Sequence, residues 1–223
     1  MIEAKRVNYE QAVEDFYRSV LKPGDIAIDC GAHTGRHTQP LAELVGGTGH
    51  VYAFEPLPEQ FKTLQKRLSK QSNVTLRNWA LGTSANMAPF VYVPEFPEYS
   101  GFRERIYHDD TLERREIVVP VRRLDDVVQN YPIRYIKVDA EGGDLTILRG
   151  AVQHLRNSRP YVTFECGDKG IVNYDYTAAD YFDFFVGLSY SISTILHKTL
   201  DRTAFIESCN IQSVWDYIAT PNP

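Results

Sequence analysis

One repeated unit constrains the fold of this chain more than any other feature. A short apolar run ends at an acid, and a turn and a helix-length segment follow. Ile26-Ala27-Ile28-Asp29, Val51-Tyr52-Ala53-Phe54-Glu55, Tyr135-Ile136-Lys137-Val138-Asp139 and Tyr161-Val162-Thr163-Phe164-Glu165 all have this form. Runs that are apolar at nearly every position are strands buried on both faces. Strands alternating with helices of ten or so residues require right-handed crossovers, and hence a parallel sheet covered on both sides. The expected class is therefore α/β, Rossmann-like and mostly parallel. Open sheets of this kind bind ligands outside the carboxyl ends of their strands. Asp29, Glu55, Asp139 and Glu165 all fall at that edge.

The helical segments are expected at 38–45, 58–70, 145–155 and 178–188, with a third strand at 74–76. An amphipathic helix at 8–21 precedes them, its Tyr9, Val13, Phe16, Tyr17 and Val20 recurring at helical spacing. The middle departs from the pattern. Strands at 90–93 and 117–121 flank residues 94–116, which are rich in Pro, Tyr, Arg, Glu and Asp and have little periodicity. Two late strands, near 191–196 and 215–219, are joined without a clear helix, so an antiparallel pair at one edge is expected. With 223 residues, the whole chain reads as a single domain over 1–223. The surplus over a minimal sheet is the N-terminal helix and the 94–116 insertion.

Composition excludes several classes. Hydrophobic residues at 43% and charged residues at 24% are ordinary globular values, unlike those of a disordered chain, a collagen or a coiled coil. No apolar run approaches the roughly 18 residues of a membrane span. Residues 1–6, Met1-Ile2-Glu3-Ala4-Lys5-Arg6, have no apolar stretch behind their basic residues, so no secretory leader is expected. A net charge of −5 argues against a binder that works by neutralising nucleic-acid phosphates. Cys30, Cys166 and Cys209 are odd in number and far apart, which reads as three reduced, mostly buried thiols in a cytoplasmic protein.

Asp29-Cys30-Gly31-Ala32-His33-Thr34-Gly35 follows the first strand and opens a helix. Gly31 permits a tight turn with close ligand approach, and Gly35 permits close packing. The helix end attracts an anionic group. The glycines are spaced GxxxG, without the fingerprint of a dinucleotide pyrophosphate. The anion can then be a carboxylate, while Asp29 accepts from an ammonium, and a nucleoside carrying both groups is S-adenosylmethionine. The plainer reading is an ordinary strand-to-helix turn. Glu55, ending the second strand, can hydrogen-bond both ribose hydroxyls. Asn78 and Trp79, after the third strand, stand where an adenine would lie, Asn as donor and acceptor and Trp as a flat wall or as plain core.

Together with Tyr52-Ala53-Phe54-Glu55-Pro56, Asn78-Trp79-Ala80-Leu81, Leu124-Asp125-Asp126 and Ile136-Lys137-Val138-Asp139-Ala140-Glu141-Gly142, the glycine turn resembles the FkbM family of S-adenosylmethionine-dependent methyltransferases. The resemblance covers roughly residues 20 to 220. It implies a class I methyltransferase fold, a seven-stranded sheet whose last strand is inserted antiparallel. It also implies O-methylation as the common reaction, and cofactor contacts from Asp29, Gly31, His33, Gly35, Glu55, Pro56, Asn78, Trp79 and Asp139. The chain departs from the family in having His33 where Asn is usual, and Asp144 where Glu is frequent.

Lys137, Asp139 and Glu141 alternate along the fourth strand and just beyond it, which places them on one side. Asp139 and Glu141 are the first candidates to take a proton from an attacking hydroxyl, with His33 a third candidate base; Lys137 is a further catalytic candidate, its plainer reading being a pair with a buried acid. A divalent cation held by Asp139 and Glu165 is the less favoured alternative. Residues 94–116, with Tyr99, Phe102, Arg103, Arg105 and Tyr107, are expected to face the acceptor. The leading expectation is O-methylation of a small molecule or saccharide, without nucleic acid or membrane partners. The alternatives are a carboxyl or amine acceptor, a nicotinamide-dependent oxidoreductase, and a non-catalytic binding module. The sequence names neither the acceptor nor an oligomeric state.

Overall fold

The computed structural model describes residues 7–129 and 132–223. Residues 1–6, on which the expectation of no leader rests, lie outside that range. The chain opens with α1 (Tyr9–Val20), whose first turn is capped by Asn8 accepting the Gln11 N–H at 3.1 Å. Val13, Phe16 and Tyr17 are buried on one face, the outcome of their helical spacing. Next come β1 (Ile26–Cys30), α2 (Thr38–Val45), β2 (His50–Phe54), α3 (Pro58–Arg67) and β3 (Val74–Arg77). The middle contains β4 (Ala80–Leu81), β5 (Asn86–Tyr92), β6 (Arg115–Arg122) and α4 (Leu124–Val127). Alternation returns with β7 (Ile133–Val138), α5 (Asp144–Arg149), α6 (Val152–Asn157), β8 (Tyr161–Glu165), α7 (Asp168–Ile171) and α8 (Ala178–Gly187). The chain closes with β9 (Tyr190–Thr194), β10 (Thr199–Leu200), α9 (Arg202–Asn210) and β11 (Asp216–Pro221).

Eight of these strands form the main sheet, in the order β10-β9-β11-β8-β7-β1-β2-β3. The pairs β8–β7, β7–β1, β1–β2 and β2–β3 are parallel. β11 is inserted antiparallel between β8 and β9. The eighth strand, beyond the seven expected, is the two-residue β10, which lies antiparallel against β9 at the edge. Because β11 runs backwards, its first residue meets the last residue of β8, and Asp216 stands opposite Glu165. The two faces carry separate apolar layers. One contains Ile28, Ile136, Leu145, Phe164 and Phe185, and the other Phe16, Tyr17, Leu41, Val51 and Tyr135.

Three expectations need correction. The two late strands, expected to be joined without a clear helix, are connected through β10 and the helix α9. The helix anticipated over 145–155 is two short helices, broken at Gly150-Ala151. A Cβ on Gly150 would sit 2.1 Å from the Gly82 carbonyl oxygen, so the break follows from backbone contact with the β4–β5 turn. The 94–116 segment is the long connection of a hairpin. β5 and β6 pair antiparallel, β4 joins β6, and this small sheet packs Phe90, Val119 and Val121 over Leu57 and Ala80. Arg115 and Glu116 already belong to β6. The three cysteines are buried and free. Among the described residues no helix is long and apolar enough to cross a membrane.

Candidate active site

A cavity of about 310 Å³ opens over the carboxyl ends of β1, β2 and β7. Its floor is the turn after β1. Gly31 has φ +80°, and a Cβ there would lie 1.8 Å from the Asp139 carbonyl oxygen. Glycine is therefore required because two strand ends converge, before any ligand is considered. Gly35, with φ +85°, makes room for Leu64 of α3 and does not line the cavity. His33, between them, has φ +47°. Asn, Asp and His are the side-chain-bearing residues that tolerate this region best, so His can replace the family's Asn without changing the turn. Burial lowers the His33 pKa, and its Nε2 has no hydrogen-bond partner among the described residues.

Glu55 is buried at 3% exposure and holds that turn. Its Oε2 accepts the His33 N–H at 2.7 Å and its Oε1 accepts the Leu57 N–H at 2.8 Å. Burial pushes its carboxyl up to about 7 against the pull of those two bonds. Asp29 is fully buried. Its Oδ2 accepts the Thr38 hydroxyl at 2.6 Å, while its Oδ1 accepts no hydrogen bond and lies 3.9 Å from Lys137 Nζ. Trp79 packs near Phe54 and lines the cavity, with the Arg77 and Arg122 guanidinium groups 5.5 and 5.4 Å from its ring centre. It is core and wall at once. Asn78 takes a different place. Its Nδ2 donates to the Glu55 and Pro56 carbonyls at 2.8 and 3.0 Å, so the amide holds the loop after β2 and does not line the cavity. Pro56 does line it.

The acids beyond β7 gather as period-two geometry expects. Lys137 Nζ donates to Asp139 Oδ2 at 2.8 Å. Burial draws the lysine's pKa down, but Asp139, Asp29 and Glu10 together hold it well above the usual value. Glu141 turns back at φ +50°, and its carboxylate is ion-paired with Arg105 from the insertion. Carboxylate oxygens of Asp139, Glu141 and Glu165 lie within 4.8 Å of one another. Burial raises Glu141 to about 8, with Arg105 opposing and Asp139 and Asp144 adding to the rise. Glu165 is raised well above its ordinary value by burial and then by Asp139, Glu141 and Asp216. From the insertion, Pro97, Glu98, Ser100 and Phe102 reach the cavity.

Three contributors were not legible as site residues. Asp144 is fully buried, and its two oxygens accept the Ala140 N–H at 2.9 Å and the Glu165 N–H at 2.8 Å, joining the ends of β7 and β8. Glu10 of α1 meets His37 Nε2 at 2.6 Å and Arg36 Nε at 2.7 Å, and the His37 bond first among several causes holds its carboxyl down at about 2. Asp216 arrives by the reversal of β11. In the sequence, Glu10 looks like any acid in a first helical turn, and Asp216 like the start of a strand.

The arrangement fits S-adenosylmethionine. It offers a fully buried carboxylate oxygen that accepts no hydrogen bond, an acid at the end of β2, a flat aromatic wall and a close-packed glycine turn. It fits a resident metal less well, because Lys137 and Arg105 already supply positive charge to Asp139 and Glu141.

Comparison with known proteins bears on the same residues. The family described as "Methyltransferase FkbM domain" matches residues 29–192. A curated relative, "Methyltransferase 1" of Beauveria bassiana, is 25% identical over 173 residues, covering 67% of this chain and 68% of its own length. A crystal structure of "Methyltransferase FkbM" from Methylobacillus flagellatus superposes with TM-score 0.56 at 18% identity. That match covers 96% of this chain and 55% of the other, so the chain spans little more than half of that protein. A "putative rRNA-methylase" from Clostridium thermocellum, at 15% identity, TM-score 0.54 and 98% of both chains, shares the fold.

Proposed function

Because this chain belongs to the FkbM methyltransferase family, we propose that it transfers the methyl group of S-adenosylmethionine to a hydroxyl of a small molecule or saccharide. The observation that carries the reading is a single cavity bounded by the Gly31 turn, Glu55, Trp79 and Asp139. Glu55 and the turn receive the ribose, Trp79 the adenine, and the free oxygen of Asp29 the amino group. When bound, the sulfonium supplies a methyl group already activated for in-line displacement. The chain's own task is alignment and removal of a proton, and alignment alone is worth roughly 7–11 kcal/mol when geometry is good.

Asp139 and Glu141 are the proposed proton acceptors. The hydroxyl proton passes to a carboxylate as the O–C bond forms and the C–S bond breaks. A base is most effective when its pKa lies near the working pH, and Glu141, raised to about 8 by burial, meets that condition. Lys137 acts through Asp139, fixing its carboxylate. The net charge of −5 and the acids at the strand edge support a small-molecule acceptor over RNA, although a putative rRNA-methylase has the same fold. Three buried free thiols support a reducing, cytoplasmic setting.

A melting experiment tests the donor. S-adenosylhomocysteine at a hundred times its Kd adds about 2.7 kcal/mol, which at this chain length raises Tm by roughly 5–11 °C. NAD gives no shift. A shift with NAD and none with S-adenosylhomocysteine replaces this reading with the oxidoreductase. Labelled donor offered with hydroxyl, carboxyl and amine acceptors then tests the O-methyl assignment.

A further inference from the structure

Behind one wall of the donor cavity lies a second cavity of about 250 Å³. The shared wall consists of Glu10, His37, Lys137, Asp139 and Glu165. Tyr9 and Val13 of α1 close the second cavity on one side, and Trp215, 43% exposed, closes it on another. Asp216 completes its lining. Tyr9, Glu10, Val13, Trp215 and Asp216 all fall outside the 29–192 stretch that matches the family. The walls thus combine residues inside the matched stretch with residues before and after it.

We infer that this second cavity seats the methyl acceptor and that the acceptor is an amine-bearing saccharide. The inference rests on the methyltransferase reading and adds to it the place and chemical class of the acceptor. Position supports it first. The two cavities adjoin at Asp139 and Glu165, so a ring in the second can present a hydroxyl at their junction, beside Asp139 and towards the donor. The aromatic walls come next. Tyr9 and Trp215 are among the lining residues, and amphipathic rings of this kind suit the edge of a sugar ring.

The hydrogen-bond inventory selects the amine. Glu10, Asp139, Glu165 and Asp216 offer only acceptors when ionised. Of the charged or ring-nitrogen donors in the lining, Lys137 is engaged with Asp139 and His37 with Glu10, which leaves the Trp215 indole N–H and the Tyr9 hydroxyl as neutral donors against four acids. Among the described residues, the carboxylates of Glu165 and Asp216 accept no hydrogen bond and form no ion pair. A fitting occupant is therefore rich in donors, and an ammonium brings three together with a positive charge. The crowding points the same way. Burial raises Asp216 to about 8, and Asp139 adds to the rise. A neighbouring ammonium favours the ionised, acceptor-only form of Asp216 and Glu165, whereas a carboxylated or phosphorylated ring disfavours it.

The test is binding to the S-adenosylhomocysteine-loaded protein by calorimetry, with D-glucosamine, D-glucose and D-glucuronate as probes. Glucosamine is expected to bind about tenfold or more tighter than glucose, a factor worth about 1.4 kcal/mol, and glucuronate not at all. Asp216→Asn is expected to remove most of that preference while leaving S-adenosylhomocysteine affinity unchanged. Trp215→Ala, a change at a partly exposed position, weakens glucosamine and glucose alike. Equal affinity for glucosamine and glucose, or binding of glucuronate as tight as that of glucosamine, overturns the assignment. So does an unchanged preference in a folded Asp216→Asn protein. Failure of S-adenosylhomocysteine itself to bind overturns the methyltransferase reading instead, so the two failures are distinguishable.

Discussion

The two ends of the ligand edge use the same residue type in opposite ways. At the β1–β2 end, Glu55 is buried and both its oxygens are filled by backbone N–H groups of the loops it faces. At the β7–β8 end, the carboxylates of Asp139 and Glu141 are matched with Lys137 and Arg105, and that of Glu165 has no hydrogen-bond partner among the described residues. A carboxylate saturated by backbone amides fixes loop shape and keeps only its remaining lone pairs for a ligand. A carboxylate held by a side-chain cation, or by nothing, can exchange that contact for a ligand or a proton. The first end is thus built to hold and, on the proposed function, the second to react. Asp144 is the exception within the second end, since it saturates itself with the Ala140 and Glu165 N–H groups and splints the reactive acids from behind.

The largest effect that can break this contrast is Gly31→Ala. Its Cβ would overlap the Asp139 carbonyl, which belongs to the reactive end, so the holding end would fail by pushing the other away. A loss of about 3 kcal/mol or more is expected in denaturant unfolding; an unperturbed midpoint would disprove the convergence of the two strand ends. Next, Glu55→Ala removes the acceptor of two backbone N–H groups and the proposed ribose contact. S-adenosylhomocysteine affinity should fall about 100-fold by calorimetry, and an unchanged Kd removes Glu55 from the donor site. Asp144→Asn keeps the shape but offers one N–H group an amide nitrogen in place of an oxygen, at a cost of about 1–3 kcal/mol. If stability does not change, the splint is dispensable.

Acidity gives a smaller effect. Glu55 and Asp144 are raised to about 7, and Glu141 and Asp216 to about 8, each chiefly by burial. A raised folded pKa contributes stability that is complete below the unfolded value and lost as pH climbs through the folded one. Tm of the unliganded protein should therefore fall by several degrees as pH rises from about 4.5 through about 8, and level off above that. Glu10, held down at about 2, contributes fully across that window, and its share is lost only in acid. A flat or rising Tm measured by calorimetry would show that these carboxyls are not buried as described. The smallest effect is expected from His33→Asn. Asn tolerates the φ of +47° and keeps the backbone N–H to Glu55, so stability should stay within about 0.5 kcal/mol. A larger change would give the imidazole a structural role beyond the turn.

Much of the holding end was legible residue by residue. The run Ile26-Ala27-Ile28-Asp29 reads as a strand because burial on both faces leaves a continuous apolar signature, and the two glycines mark the turn because nothing else fits it. The reason for Gly31 was not legible, since the atom that excludes a side chain comes from residue 139. Asn78 is expected from the sequence to contact a base, and in the structure its amide nitrogen secures the loop after β2, a role that only the fold reveals. The break at Gly150 was hidden for a similar reason. Helical periodicity runs straight through 145–155, and only the approach of Gly82 interrupts it.

By itself, the sequence determined the strands, their terminal acids and the glycine turn, because alternation and apolar runs record burial over a few neighbouring residues. The tertiary structure decided which acids would meet. Asp216 joins Glu165 only because β11 enters the sheet backwards, and Glu10 joins His37 only because α1 packs beside the turn after β1. Both pairings span long stretches of chain, where contact depends on the order and direction of packed elements and leaves no periodic trace in the residues themselves.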